Sequence, residues 1–194
     1  MNLEVKEIFY SLQGEGGRQG EASIFIRLSQ CNLKCDFCDT DFSGGQTMNI
    51  QQILSVIRSF PCYWIIWTGG EPTLQLTNEI ISFFKSEGYF QAIESNGTSV
   101  LPDGLDYIVV SPKGNPDYAK KINPAVDEIR LPVQSGDAIP EIEGLPVAKF
   151  YLISPVFTLN KEETQANILF CVEYIKRHPQ WRLSLQMHKL IGIE

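Results

Sequence analysis

The chain has 194 residues, a length typical of one domain, and 43% of them are hydrophobic, which excludes a largely disordered chain. Sixteen Lys and Arg against 23 Asp and Glu give a net charge of -7, which disfavours a nucleic-acid-binding surface. No apolar run reaches the roughly 18 residues of a membrane span, and the charged N-terminus is unlike a signal peptide. We therefore expect a cytoplasmic protein, with a single domain over residues 1–194, that binds neither membranes nor nucleic acid.

Short runs of β-branched and aromatic residues predict strands, and three longer segments carry apolar residues at helical spacing. The predicted strands cover residues 6–11, 23–28, 63–67, 89–93, 107–110, 127–131, 148–153 and 181–185. The predicted helices cover residues 49–60, 76–87 and 161–177. The first two helices lie between strands, which is the order of a parallel sheet, and the later connections are too short for full crossover helices. We predict an α/β fold, a reduced open (β/α) barrel of about six parallel strands and three main helices.

Polar and thiol-bearing segments directly follow several predicted strands. They read SQCNLKCDFCDTDF after residues 23–28, TGGEPT after 63–67, ESNGT after 89–93 and SPKGN after 107–110. Gly, Ser and Asn commonly terminate strands, but strand termination does not explain the thiols and acidic groups. Ligands bind at the carboxyl ends of strands in barrels and open α/β sheets. The sequence therefore predicts one shared site at this edge.

Three of the five cysteines, Cys31, Cys35 and Cys38, lie within eight residues. An odd number of cysteines argues against a disulfide framework, and Cys62 and Cys171 are interpreted as small buried residues. A loop this short can turn three sulfurs toward one soft metal centre, and three thiolates can hold an iron–sulfur cluster with one iron left open.

Two other uses of these thiols stay open. Structural zinc usually takes four ligands, and the chain has no second cysteine pair, although His188 is a possible fourth ligand. A redox dithiol at Cys35 and Cys38 would leave Cys31 unexplained. His178 precedes a proline near a helix end and is interpreted as a surface or capping residue.

The Cys-x3-Cys-x2-Cys loop, together with the motif Thr68-Gly69-Gly70-Glu71-Pro72 after the next strand, resembles the radical S-adenosylmethionine (SAM) superfamily. The resemblance implies a 4Fe-4S cluster on Cys31, Cys35 and Cys38, with the amino and carboxylate groups of SAM on the open iron. It also implies that reduction of the cluster cleaves SAM and gives a 5′-deoxyadenosyl radical. The two glycines are interpreted as allowing close approach of the backbone to a ligand.

The segments IFYSLQGEG from residue 8, FIRL from residue 25, CDTDF from residue 38 and LQMHK from residue 185 resemble the 7-carboxy-7-deazaguanine synthase family. The resemblance implies that 6-carboxy-5,6,7,8-tetrahydropterin is the substrate. Its ring would contract with loss of ammonia, and the product would feed synthesis of queuosine and other 7-deazapurines. The resemblance further implies Mg2+, a homodimer and an electron donor such as flavodoxin or ferredoxin.

The resemblance assigns site residues by motif. Mg2+ would be held by Thr40. The residues implied for substrate are Leu12, Gln13, Gly14, Glu15, Arg27, Thr68 and, at the chain end, Glu194. Those implied for SAM are Phe37, Gly70, Glu94, Ser95, Asn96, Ser111, Pro112 and Lys113.

The residue chemistry agrees with several of these assignments. An amide and a carboxylate, as in Gln13 and Glu15, match the donor and acceptor edge of a pterin. Arg27 lies in an apolar strand, where a charge needs a partner; the substrate carboxylate suits its guanidinium, and an internal ion pair or a position at the barrel mouth is the alternative. The segment 154–157 departs from the family pattern, so its match to an adenine contact is loose. We assign no chemistry to residues 115–144.

Two competing functions remain at this point. A glycyl-radical activating enzyme of the same superfamily would use the same cysteines but would need a docking surface for a protein. A zinc or iron–sulfur module without catalytic activity would leave Gly69, Gly70 and Glu71 without a role.

Overall fold

A computed structural model describes residues 1–38, 40–41, 43–113 and 125–193. The chain folds into two compact units. The first comprises Met1–Leu12, Glu21–Ser95 and Ser99–Ile108, and the second comprises Gln13–Gly20, Asn96–Thr98 and Val109–Glu194. A single domain over residues 1–194 stays a prediction. Among the helices that the structure describes, none is both long enough and apolar enough to cross a bilayer.

In its described residues, the first unit contains five complete strands and two α-helices. In chain order they are β1 (Asn2–Leu12), β2 (Ala22–Leu28), β3 (Gln46–Asn49), α1 (Ile50–Ile57), β4 (Trp64–Gly69), α2 (Asn78–Ser86) and β5 (Phe90–Ser95). The strand order is β3-β1-β2-β4-β5. The pairs of β1 with β2 and with β3 are antiparallel, whereas β2, β4 and β5 run parallel to one another. This parallel group carries the polar strand ends noted in the sequence.

The core of this unit lies between its sheet and its helices. Alternate residues of β2, Ile24, Ile26 and Leu28, are fully buried, and burial of each such side chain contributes about 1.5–3 kcal/mol. Helix α1 buries one apolar face and begins with a capping box between Asn49 and Gln52.

The indole of Trp67 is also fully buried in the first unit. It donates its N–H to Oε1 of Gln91 at 3.0 Å and packs edge-on against Phe84, with the ring centroids 5.3 Å apart. A buried indole of this kind has both its apolar body and its single donor satisfied.

The second unit contains the parallel strands that follow. After β6 (Tyr107–Val110) they are β7 (Val126–Val133), β8 (Ala148–Pro155) and β9 (Arg182–Leu183), paired in that order. Helix α3 (Lys161–Arg177) packs on β8, and α4 (Met187–Ile191) is short. Trp181, only 2% exposed, packs edge-on against Tyr151 with centroids 6.0 Å apart.

The predicted fold class is confirmed in its main features. Seven described strands, β2 and β4–β9, have parallel neighbours, and three described helices are longer than one or two turns. Several details differ. Helix α2, predicted over residues 76–87, covers Asn78–Ser86, and β9, predicted over residues 181–185, covers Arg182–Leu183. Strand β3 and helix α4 were not predicted, and α1 ends at Ile57, not at residue 60. Tight turns close over residues 58–60, and Pro61 disfavours helical backbone at Phe60.

Candidate active site

The cysteine loop follows β2 in the first unit. Cys31 and Cys35 are half-buried and Cys38 is exposed. The Cys38 N–H donates to the Cys35 carbonyl at 3.1 Å, which forms a tight turn between two of the thiols. All five cysteines lie in the described residues, and none is in a disulfide. Cys62 and Cys171 are buried, as the sequence predicted.

The thiol loop fits an iron–sulfur cluster by its donor chemistry. Three soft sulfur ligands lie in one short loop, and thiolate is the usual protein ligand of iron in such clusters. In the part of the chain that the structure describes, no three Cys, His, Asp or Glu side chains already form a metal-binding group.

The glycine motif at the end of β4 packs directly against the start of the cysteine loop. The N–H of Gly70 donates to the Leu28 carbonyl at 3.0 Å, and that of Glu71 donates to the Gln30 carbonyl at 2.8 Å. A Cβ placed on Gly70 would lie 1.7 Å from the Gln30 carbonyl oxygen, and one on Gly69 would lie 2.2 Å from that of Leu28. Glycine is therefore required at both positions because backbone carbonyls of the same chain lie against them. The sequence had indicated only the approach of a ligand.

Glu71 is fully buried beside these glycines. Its Oε1 accepts hydrogen bonds from the Thr73 N–H at 3.1 Å, the Thr73 hydroxyl at 2.7 Å and the Ser95 hydroxyl at 2.9 Å. Ser95 is the last residue of β5, so this carboxylate joins the ends of two neighbouring strands. Glu94, its neighbour in β5, is half-buried.

Arg27 and Thr68, two of the residues predicted to bind substrate, are register partners on β2 and β4. Both are half-buried. The Nε of Arg27 lies 2.6 Å from Oε1 of Glu7, and its guanidinium lies over the Phe9 ring, 5.7 Å from the centroid. Arg27 therefore has an ion-pair partner on β1, but the pair is exposed and not internal. A guanidinium has further N–H groups for a ligand.

Thr40 and Phe37, predicted for Mg2+ and SAM, are both half-buried in the same loop. Beside Thr40, the Asp41 carboxylate accepts hydrogen bonds from the Ser43 hydroxyl and N–H and pairs with Lys6. These hydrogen bonds hold the pKa of Asp41 well below its usual range. Asp41 is thus a loop-forming residue in this structure.

In the second unit, residues 13–17 form a compact turn. Gln13 is buried, and its Oε1 accepts from the Glu15 N–H at 3.2 Å. The Gly14 carbonyl accepts from the Met187 N–H at 2.9 Å. A Cβ on Gly14 would lie 2.1 Å from Nδ1 of His188. The C-terminal LQMHK segment therefore packs on the predicted substrate-binding turn, which the sequence did not foresee.

The other predicted residues are placed as follows. Leu12 ends β1 in the first unit and is 36% exposed. Asn96 is buried, and its Oδ1 accepts from the N–H and hydroxyl of Thr98. Ser111 and Pro112 are buried and Lys113 is half-buried after β6. Glu194 lies outside the described residues.

Two charged residues of β7, Glu128 and Arg130, were missed by the sequence analysis. Oε1 of Glu128 accepts from the Gly17 N–H at 2.6 Å, and Nε of Arg130 lies 3.2 Å from Oε2 of Glu15. A signal was available, because the two charges alternate within a predicted strand and would need partners if buried.

Comparison with known proteins agrees with this arrangement. Residues 26–149 match the family model described as the radical SAM superfamily. The chain is 40% identical over 193 residues to a 7-carboxy-7-deazaguanine synthase of Bacteroides thetaiotaomicron, with all of both chains covered. It is 42% identical over 202 residues to the enzyme of that name from Haemophilus influenzae, covering 100% of this chain and 95% of the relative.

The chain belongs to the 7-carboxy-7-deazaguanine synthase family of radical SAM enzymes. A solved structure titled as QueE from Escherichia coli covers 97% of this chain and 95% of its own, with a TM-score of 0.73. Its sequence identity is 22%, so that likeness shows the fold alone. Membership in the radical SAM superfamily implies a 4Fe-4S cluster and SAM, which agrees with the thiol loop. Membership in this enzyme family argues against the competing function of a zinc or iron–sulfur module without catalytic activity.

Proposed function

We propose that this chain converts 6-carboxy-5,6,7,8-tetrahydropterin to 7-carboxy-7-deazaguanine with loss of ammonia. The observation that carries the proposal is its full-length identity of about 40% to proteins named 7-carboxy-7-deazaguanine synthase. The thiol loop and the glycine motif packed against it supply the local support.

We assign the cluster to Cys31, Cys35 and Cys38. When bound, the reduced cluster and SAM supply a carbon-centred radical that can abstract a hydrogen atom. The chain's own contribution is the turn from Cys35 to Cys38 and the backbone bonds that join Gly70 and Glu71 to the start of the loop. The residues assigned to SAM are Phe37, Gly70, Glu94, Ser95, Asn96, Ser111, Pro112 and Lys113.

We assign substrate recognition to two groups of residues. Arg27 and Thr68 are adjacent in the first unit, where the guanidinium suits the substrate carboxylate and the hydroxyl can donate or accept. In the second unit, Gln13, Gly14 and Glu15 form a turn whose carboxylate suits the amidine-like donors of a pterin. Leu12 and Glu194 complete the assignment by family match.

Mg2+, the electron donor and the oligomeric state are finer parts of the proposal. Thr40 would give Mg2+ one hydroxyl ligand, with water and substrate oxygens completing its shell. A flavodoxin or ferredoxin would supply the electron. A homodimer acting in the cytoplasm is the expected form.

One anaerobic reaction tests the proposal. The protein, reconstituted with iron and sulfide, is mixed with dithionite, SAM, Mg2+ and 6-carboxytetrahydropterin, and the products are identified by mass spectrometry. Formation of 7-carboxy-7-deazaguanine is expected. Production of 5′-deoxyadenosine alone would favour the glycyl-radical activating enzyme. If protein with a verified, reducible cluster gives neither product, the proposed function is wrong.

A further inference from the structure

The face of β7 that carries Glu128 and Arg130 is unusual for a central strand. These residues are two apart, so their side chains leave the same face, and they are 1% and 5% exposed. A strand paired on both sides in a parallel sheet is normally apolar. Buried charges need partners that offset their desolvation, and two such partners, the Gly17 N–H and the Glu15 carboxylate, lie in the turn at residues 13–17.

Glu128 fixes the backbone of this turn. Its Oε1 accepts from the Gly17 N–H at 2.6 Å, which is the short distance typical of a charge-assisted bond. The carboxylate also fills the space beside Gly16, where a Cβ would lie 2.3 Å from Oε2. Gly16 has a φ of +78°, so glycine suits this position for its backbone as well as for its missing side chain.

Arg130 fixes the side chain of Glu15. Its Nε lies 3.2 Å from Oε2 of Glu15, and its Nη1 lies 3.9 Å from Oε2 of Glu128. The Glu15 and Arg130 side chains are 15% and 6% exposed, so water screens the pair weakly. Because Arg130 holds Oε2 of Glu15, the orientation of the Glu15 carboxylate is restricted, and so is the direction from which its Oε1 can accept a hydrogen bond.

We propose that Glu128 and Arg130 are positioning residues that hold the turn at residues 13–17, and with it the Glu15 carboxylate, in the form that recognises the pterin. The proposal deepens the proposed function and rests on it for the identity of the ligand. Glu128 acts on the backbone of Gly17, and Arg130 acts through Glu15. Neither residue needs to contact the substrate.

The test uses the reconstituted holoenzyme and the variants Glu128→Gln and Arg130→Lys. Hydrogen exchange followed by mass spectrometry reports the amides of residues 13–17, and steady-state kinetics report KM for the pterin and for SAM. Loss of the charge assistance in one hydrogen bond changes an equilibrium constant by roughly tenfold. We expect exchange in the turn and KM for the pterin each to rise by about that factor in Glu128→Gln. KM for SAM and the iron content should stay as in the wild type.

Lys149→Met is the matched control, because it removes the Lys149–Asp127 ion pair from β7 and β8 without touching the turn. Lys149→Met should change neither the amide exchange of residues 13–17 nor KM for the pterin. Unchanged exchange in the turn of Glu128→Gln would overturn the proposal, whatever the pterin result. So would a rise in KM for SAM equal to that for the pterin.

The exchange readout also separates this proposal from the proposed function. A wild-type enzyme inactive on the pterin would defeat the proposed function and the ligand named here, while faster exchange in Glu128→Gln would still show that Glu128 holds the turn. If Glu128→Gln does not fold, Arg130→Lys decides, because it keeps the charge and loses the planar guanidinium. We expect a higher KM for the pterin there too, and an unchanged KM would overturn the proposal.

Discussion

Arg27 on β2 pairs with Glu7, its register partner on β1, through Nε and Oε1 at 2.6 Å. Arg27 is also the register partner of Thr68 on the neighbouring strand β4. Exposed pairs contribute at most about 1 kcal/mol, and the Glu7 side chain is 48% exposed. The pair therefore matters more for the direction of the guanidinium than for the stability of the fold.

Replacing Arg27 with Ala should raise KM for the pterin by roughly 30-fold or more, because loss of a charged contact to a carboxylate costs about 2–5 kcal/mol. Cluster content and SAM binding should be unchanged. Glu7→Gln, which keeps a neutral acceptor beside Nε, should raise KM by a smaller factor. Steady-state kinetics with each variant check this, and loss of SAM binding in Arg27→Ala would show that Arg27 is structural.

Replacing Gly70 with Ala should destabilise the first unit and weaken cluster assembly. The added Cβ would lie 1.7 Å from the Gln30 carbonyl oxygen, so the backbone must shift at the start of the cysteine loop. Such overpacking typically costs about 1–3 kcal/mol or more. Urea unfolding and iron content measure both effects. Gly144→Ala is the control, because nothing lies within 4 Å of its added Cβ.

Replacing Cys35 with Ala should abolish cluster binding and SAM cleavage, because two thiolates in this loop leave the cluster without its third ligand. Iron and sulfide analysis of the reconstituted protein gives the direct readout. Cys62→Ala should keep the cluster, since that buried thiol lies before β4, away from the cysteine loop in the sequence. A full cluster in Cys35→Ala would contradict the assignment of its ligands.

Replacing Thr40 with Ala should reduce the stimulation of turnover by Mg2+, because the hydroxyl ligand is lost. Thr40→Ser, which keeps the hydroxyl, should retain the stimulation. The Mg2+ dependence of pterin turnover is the measurement. Equal stimulation in both variants would remove Thr40 from the Mg2+ site.

The stability of the fold should fall as the pH rises above 9. Burial raises the pKa of the Cys171 thiol from 9.0 to about 12. In that interval the unfolded chain has released the thiol proton and the folded chain has kept it, so rising pH favours unfolding. Urea unfolding below and above pH 9 measures the slope, and Cys171→Ala should make it shallower. Cys171 should also resist alkylation until the protein unfolds.

The local parts of the site could be predicted from the sequence. The spacing of Cys31, Cys35 and Cys38 and the motif at Gly70 are features of contiguous residues, and their positions after strands follow from apolar runs that the structure confirms as β2 and β4. Helix α3 was predicted with the bounds that the structure has. Helical periodicity over 17 residues gives a strong signal.

The contacts between distant residues could not be predicted. Strand β3 is short and polar, so nothing in its pattern indicates that it pairs with β1. The contact of Gly70 with Gln30 depends on how two loops meet, and Gln30 takes a φ of +75° that its residue type does not favour. The charges of β7 lie in a strand that was predicted, but their partners are more than 100 residues away.

The buried tryptophans allow the unfolding of each unit to be followed by fluorescence. Trp67 is fully buried in the first unit and Trp181 nearly so in the second. Indole fluorescence responds to exposure, and Trp64 is a third indole in the first unit. A variant with Trp64→Phe and Trp67→Phe would leave Trp181 as the reporter of the second unit, and one with Trp64→Phe and Trp181→Phe would leave Trp67 as the reporter of the first. Comparing their denaturation curves would show whether the two units lose structure together or in succession. A single shared midpoint would make the chain one cooperative unit in the thermodynamic sense.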